Sequence, residues 1–193
     1  MIKAQFCDEM YRILTIEDTI RVPPDKFTMK SREAVKQALA DKYECLLDPK
    51  LGVVLSIINV DKISEGRIFP EDPGVHYPVT FKALVYKPEL HELSFGEVVD
   101  NTEFGSFVRV GPLDGLVHIS QLMDDYVSFD SRNSLFLGRE TKKTLKEGDL
   151  VRGRVISISW EEGNKIGLTM RQPLLGAIQW IEAEKKKQKK PEK

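Results

Sequence analysis

GEVVDNTEFGSFVRVGPLDGLVHISQ, residues 96–121, reads as two β-strands folded over Phe104-Gly105-Ser106-Phe107. A turn at Gly111-Pro112-Leu113-Asp114-Gly115 and a third short strand over residues 116–119 follow. Beyond Gly105 the side chains alternate, so Phe107 and Arg109 share one face and Val108 and Val110 the other. Two valines suit a core. A phenylalanine with an arginine suits a wet surface on which bases stack. Gly105 is expected to let the backbone bend between two large aromatic residues, where a Cβ would resist.

Two further strands complete a barrel. In residues 149–159, Val151, Gly153 and Val155 alternate with Arg152 and Arg154. In residues 165–171, Ile166, Leu168 and Met170 alternate with Lys165, Gly167, Thr169 and Arg171. The insert between the third and fourth strands, residues 122–146, is longer and more acidic than a minimal barrel needs. After Pro173 a helix is predicted, with Leu174, Ile178 and Ile181 at i, i+4 and i+7 and Trp180 beside them. Residues 185–193, KKKQKKPEK, read as a disordered, solvated basic tail.

The front half has a different grammar. Residues 1–9 show no period and are treated as a frayed extension or the product of an upstream start. β-Branched residues dominate 11–22, and Pro23-Pro24 stops that strand. Asp25 or Ser31 is the expected cap of a helix that buries Val35, Ala38, Leu39, Tyr43 and Leu46. Asp48-Pro49-Lys50-Leu51-Gly52 ends it. VVLSIINV, residues 53–60, is apolar enough to be a central strand. Residues 61–74 read as a weakly ordered excursion around a short strand near 67–69. Residues 77–86 form another strand, with Val79, Phe81, Ala83 and Val85 on one face, and Pro88 closes the unit. The order β-α-β-β-β predicts a small α+β domain, one helix on an antiparallel sheet, like a truncated RNP domain. An RNA-reading version needs aromatic residues on a central strand. VVLSIINV has none, so this half is read as an aliphatic docking module.

Composition narrows the function classes. The 193 residues are 41% hydrophobic and 31% charged, with a formal net charge of −1. Any nucleic-acid site is therefore a local patch rather than a global basic field. Cys7 and Cys45 lack metal-ligand spacing and read as reduced thiols. No apolar run approaches the ~20 residues of a membrane helix, so a cytoplasmic protein is expected. His76, His91 and His118 are scattered, no phosphate-cradling glycine loop occurs, and the pair Asp124-Asp125 has no third ligand nearby. No catalytic residue, metal or cofactor is assigned.

The run G-x-V-x5-F-G-x-F-V followed by G-L-V-H-x-S resembles the S1 RNA-binding domain, a five-stranded OB-type barrel. With YRILTIEDTIRVPP, GVVLSIINV, HYPVTFKALVYKP, HISQLMDDYVSFD and LTMRQPLLG added, the chain resembles the E-prime family of archaeal DNA-directed RNA polymerase subunits. That family is the counterpart of the seventh subunit of eukaryotic RNA polymerase II. The resemblance implies a noncatalytic stalk subunit of a nucleotidyltransferase complex. Such a protein pairs with the small F-type polymerase subunit as a heterodimer, docks on the RNA polymerase core near the clamp and binds emerging single-stranded RNA, assisting initiation and elongation.

The expected division is 10–88 for docking, 94–172 for the S1 barrel, 173–184 for a helix and 185–193 for the tail. By motif position, Phe104, Phe107 and His118 become the RNA-facing residues, and Lys165 a basic contact. Arg109, Arg152 and Arg154 are candidate phosphate contacts on the strand faces described above. The competing readings are a plug at the barrel end for the two phenylalanines, a structural role for His118, and ordinary solvated charges for the arginines. Asn101 and Ser159 depart from the S1 pattern, which usually has an apolar and an acidic residue there. The alternatives in function are an S1 adaptor of the RNA exosome or of translation initiation, and an RNA-processing nuclease.

Overall fold

Twelve residues rich in Ile, Thr and Val form the first long strand, and their partner is equally long. In the computed structural model, which describes residues 3–6, 10–70, 72–160 and 165–188, the chain forms two units meeting at Lys87 and Pro88. The first contains β1 (Lys3–Phe6), β2 (Tyr11–Val22), a 3-10 turn (Pro24–Lys26), α1 (Ser31–Tyr43), β3 (Leu47–Asp48), β4 (Gly52–Ile63), β5 (Arg67–Ile68) and β6 (Val75–Tyr86). Its sheet runs β1-β2-β6-β4-β3, all antiparallel, with β5 on β6. The backbone of residues 3–6 is therefore a strand pairing Lys3 to Thr15 through Phe6 to Arg12, not a frayed lead-in.

The centre of this sheet is β6, not VVLSIINV. Among the described residues β4 is flanked on its far side only by the two-residue β3, and Ile58 is exposed. Three register shifts between β4 and β6 add twist, which suits wrapping one face around α1. That face holds the core: Val35, Leu39, Val54, Phe81, Ala83 and Val85 are all fully buried. Burial of each larger side chain stabilises by about 1.5–3 kcal/mol.

The helix face was legible, but its ends were not. Neither Asp25 nor Ser31 caps α1. Lys30 occupies that position without a side-chain bond, and its carbonyl accepts from Glu33 and Ala34. The chain leaves the helix at Cys45, whose φ is 63°, leaving Leu46 exposed rather than in the core. Cys7 lies outside the described residues.

The second unit contains β7 (Leu93–Thr102), β8 (Gly105–Val110), β9 (Leu113–His118), a 3-10 turn (Ile119–Gln121), β10 (Val127–Asp130), β11 (Leu135–Gly138), β12 (Thr144–Leu145), β13 (Leu150–Ser159), β14 (Lys165–Thr169), β15 (Gly176–Ala177) and α2 (Ile178–Gln188). The order β14-β9-β8-β7-β13, with β13 also paired to β14, closes a five-stranded barrel as expected. Val98, Val108, Val117, Val151, Val155, Ile166 and Leu168 fill it.

Three local expectations change. The turn after β8 is tight, Gly111-Pro112 with Gly111 at φ 61°, so Leu113 already pairs with Val110. Residues 174–177 do not start the last helix: Leu174 is exposed at φ 64°, and Gly176-Ala177 pair with β13 before α2 begins. The long acidic insert has secondary structure of its own. Its sheet β10-β11-β12 buries Phe136 and Leu145. Lys185–Gln188, read as tail, continue α2, and residues 189–193 lie outside the described residues.

Asn101 also finds an explanation. It is only 4% exposed, and its Nδ2 donates to the carbonyl of Ser134 at 2.8 Å, tying β7 to the insert. An apolar residue would leave that carbonyl without its donor.

Candidate nucleic-acid interface

The barrel's outer face is built around one missing side chain. Gly105 pairs directly across from His118, and a Cβ there would lie 2.3 Å from the carbonyl oxygen of Val117. Glycine is required by this close approach of β9 rather than by a bend. Phe104 occupies the turn before it, with its carbonyl accepting from the Ile119 amide at 2.9 Å. Phe107 stands two residues on, half-buried between Asp100 and Leu116. The two rings meet edge to face, centroids 6.0 Å apart and planes at 89°. Phe104 is 52% exposed, so it does not plug the barrel. His118 is exposed, and its Nδ1 accepts from the Ser120 amide at 3.3 Å and lies 2.9 Å from the Ser120 hydroxyl. Neutral His118 therefore carries its proton on Nε2.

One row further along, Glu97, Arg109 and Asp114 stand side by side, and Lys165 comes level with Asp114 because the next residue, Ile166, faces Gly115. Arg109 Nε donates to Asp114 at 3.1 Å. With Asp100 beside Phe107, this face is charge-balanced, not the locally positive surface that the sequence suggests. The structure thus brings together Phe104, Phe107 and His118, with Arg109 and Lys165 on the same face. Arg152 and Arg154 are placed elsewhere. They lie across from Phe95 and Leu93 on β7, and the Arg152 guanidinium sits 4.7 Å above the Phe95 ring. Phe95 and Asp100 are five strand residues apart, about 16 Å. Sequence reasoning missed Phe95, Leu116 and Ser120. Phe95 alternates with Leu93 ahead of Gly96, a period-two signal that was available.

The acidic insert uses its carboxylates to close loops. Asp124 accepts from Arg171 at 2.7 and 2.9 Å. Asp125 accepts from the amides of Thr141, Glu140 and Tyr126 and from the Thr141 hydroxyl. These bonds, that from the Thr141 amide above all, hold the Asp125 carboxyl below the usual carboxylate range. Among the described residues no group of three His, Cys, Asp or Glu is placed to hold a metal ion.

The first unit carries a second feature, at one end of its sheet. Val22 pairs with Val75, which pairs with Ile68. Phe27, Met29, Ile68 and Phe69 are exposed there, Ile68 by 72%. A cavity of about 220 Å³ lined by Val22, Phe27, Met29, Ala34, Val75 and Tyr77 lies at the same end. The loop is pinned by Asp72, which accepts from Arg21 at 2.7–3.0 Å and from the Gly74 amide at 2.9 Å, with His76 Nε2 2.7 Å away. Arg21 first, then Gly74 and His76, hold the Asp72 carboxyl far below its ordinary range. The open face of this sheet, by contrast, mixes Ile13 and Leu84 with Thr15, Thr80 and Lys82, so the exposed apolar surface is concentrated at this tip rather than spread over an aliphatic sheet.

Comparison with known proteins agrees with this two-part reading. Residues 17–73 match the SHS2 domain found in the N terminus of Rpb7p and Rpc25p, and residues 87–171 match the S1 RNA binding domain. The DNA-directed RNA polymerase subunit Rpo7 of Sulfolobus acidocaldarius is 40% identical over 177 residues, 91% of this chain and 97% of that protein. The RNA polymerase II subunit RPB7 of Saccharomyces cerevisiae is 29% identical over 124 residues, 63% of this chain and 72% of that protein. Ribonuclease R of Buchnera aphidicola is 43% identical over 77 residues, 39% of this chain but 10% of that enzyme. A similarity this long, running through both units, places the chain in the Rpo7 family of DNA-directed RNA polymerase subunits.

Proposed function

We propose that this chain is a noncatalytic, cytoplasmic stalk subunit that pairs with the small F-type subunit, docks on the polymerase core near the clamp and binds emerging single-stranded RNA. The observation that carries the RNA half is the gathering of exposed Phe104 and His118 with half-buried Phe107 around Gly105. Stacking on such rings contributes about 1–3 kcal/mol per base and is tolerant of sequence. That tolerance suits a protein meeting every transcript. The docking half is supported by the exposed apolar tip of the first unit, Phe27, Met29, Ile68 and Phe69.

Binding is expected to be weak and salt-dependent. In fluorescence anisotropy with labelled single-stranded RNA, Phe107→Ala should weaken affinity about tenfold with an unchanged melting temperature. Unaltered affinity would remove Phe107 from the site. Magnesium-dependent cleavage of RNA by the purified chain would instead favour the nuclease reading, and recovery without the large polymerase subunits in a pull-down would favour another S1 adaptor.

A further inference from the structure

Arg152 and Arg154 differ from the other ordered arginines of the barrel. Arg109 and Arg171 each pair with a carboxylate. Among the described residues, Arg152 and Arg154 each hold a buried Nε that donates to no acceptor. Nor does either guanidinium pair with a carboxylate among the described residues, and such a charge favours a ligand that brings acceptor oxygens. Beside them lies an aromatic surface: Phe95 is 63% exposed, one side of its ring covered by the Arg152 guanidinium. Arginine planes and phenyl rings are the two surfaces on which unpaired bases stack. Along the ladder the patch lies near the trio around Gly105, across Thr169, which is buried and donates to the Gln121 side chain at 2.8 Å. Thr169 pairs with Arg154 on one side of β14 and, one residue beyond the Leu168–Val117 pair, comes level with His118 on the other. Arg154 and His118 are therefore two strands apart, about 10 Å.

We propose that Phe95, Arg152 and Arg154 form a second single-stranded RNA subsite on the barrel, beside the Phe104–Phe107–His118 site. The inference rests on the reading that the barrel binds RNA and adds where the strand goes next. Phosphates lie against Arg154 and Arg152, and a base stacks on the open side of Phe95. OB-type barrels cover about 4–16 nucleotides each. One subsite serves the short end of that range and both together serve the long end.

The test uses the full chain and labelled oligouridylates of about 4 and about 16 nucleotides, the ends of that range. Phe95→Ala should weaken the longer RNA about tenfold and leave the shorter one unchanged, whereas Phe107→Ala weakens both. Arg152→Gln provides an independent variant should Phe95→Ala lower the melting temperature, and it should also flatten the salt dependence of the longer RNA. If both variants bind the longer RNA as the parent does while Phe107→Ala loses it, the second subsite is overturned and the first stands. If they bind RNA normally but fail to retain a protein partner, the patch is a protein-docking surface and the proposal fails. No binding of either RNA by the parent chain would overturn the underlying reading as well.

Discussion

Gly105 shows how a single hydrogen in place of a side chain shapes the site. Any Cβ meets the Val117 carbonyl at 2.3 Å, a backbone atom with no rotamer in which to retreat. Gly105→Ala should therefore destabilise the barrel by roughly 1–3 kcal/mol in chemical denaturation, as overpacking does elsewhere, and reduce RNA binding with it. A variant of full stability would show that β9 can move away. Arg109 is a subtler case because its charge is balanced by Asp114 at 3.1 Å. Asp114→Asn should raise RNA affinity and steepen the salt dependence by roughly 0.7, the value of one added contact to a single strand. An unchanged slope would mean that Arg109 never meets a phosphate. The outward set of Phe107 and Arg109 was legible because alternation needs only neighbours in sequence. The separation of Arg152 and Arg154 from it was not, because that depends on which residues of β7 they face, and register is a tertiary choice.

Among the elements, the loop between β5 and β6 behaves least as its composition suggests. Read as a loose excursion, it is drawn to Asp72 by Arg21, Gly74 and His76. Because the folded Asp72 carboxyl lies below its ordinary range, it contributes order to the loop above the unfolded value, about 4. That contribution is lost only as pH falls through the depressed folded value. Amide-exchange protection at Gly74 should thus persist from neutral pH to about 4 and fade in stronger acid. Asp72→Asn should abolish this dependence and free the tip at every pH; a protected tip in that variant would show another anchor. The end of the chain teaches the opposite lesson. Leu174, Ile178 and Ile181 have helical spacing, yet the segment before Ile178 is spent on β15 against β13, where tertiary pairing overrides local pattern. Likewise VVLSIINV is hydrophobic enough for a middle strand, but β6 takes that place because its two partners are each long.

For the molecule as a whole, the formal charge of −1 and the balanced outer face mean that the proposed RNA binding would draw on stacking more than on long-range attraction. The fold class of both units was readable because each follows a strong period. The proposed partners rest on family resemblance alone. On the proposed pairing, co-expression with the small F-type subunit should raise solubility and melting temperature, since a bound partner stabilises the native state. An unchanged melting temperature would argue against an obligate pair.

The two units also differ in how completely their hydrogen-bonding edges are used. Among the described residues, pairing of β13 with β14 leaves the five barrel strands no open ladder for a visiting chain. In the front unit β1 covers only Arg12 to Thr15, so among the described residues β2 is bare along that side from Ile16 to Val22. Strand exchange between copies, at high concentration or on mild heating, will therefore begin at that seam, with Glu17, Asp18 and Arg21 as its sentries. Neutralising them should turn a monodisperse solution into linear aggregates joined through the front unit while the barrels remain intact.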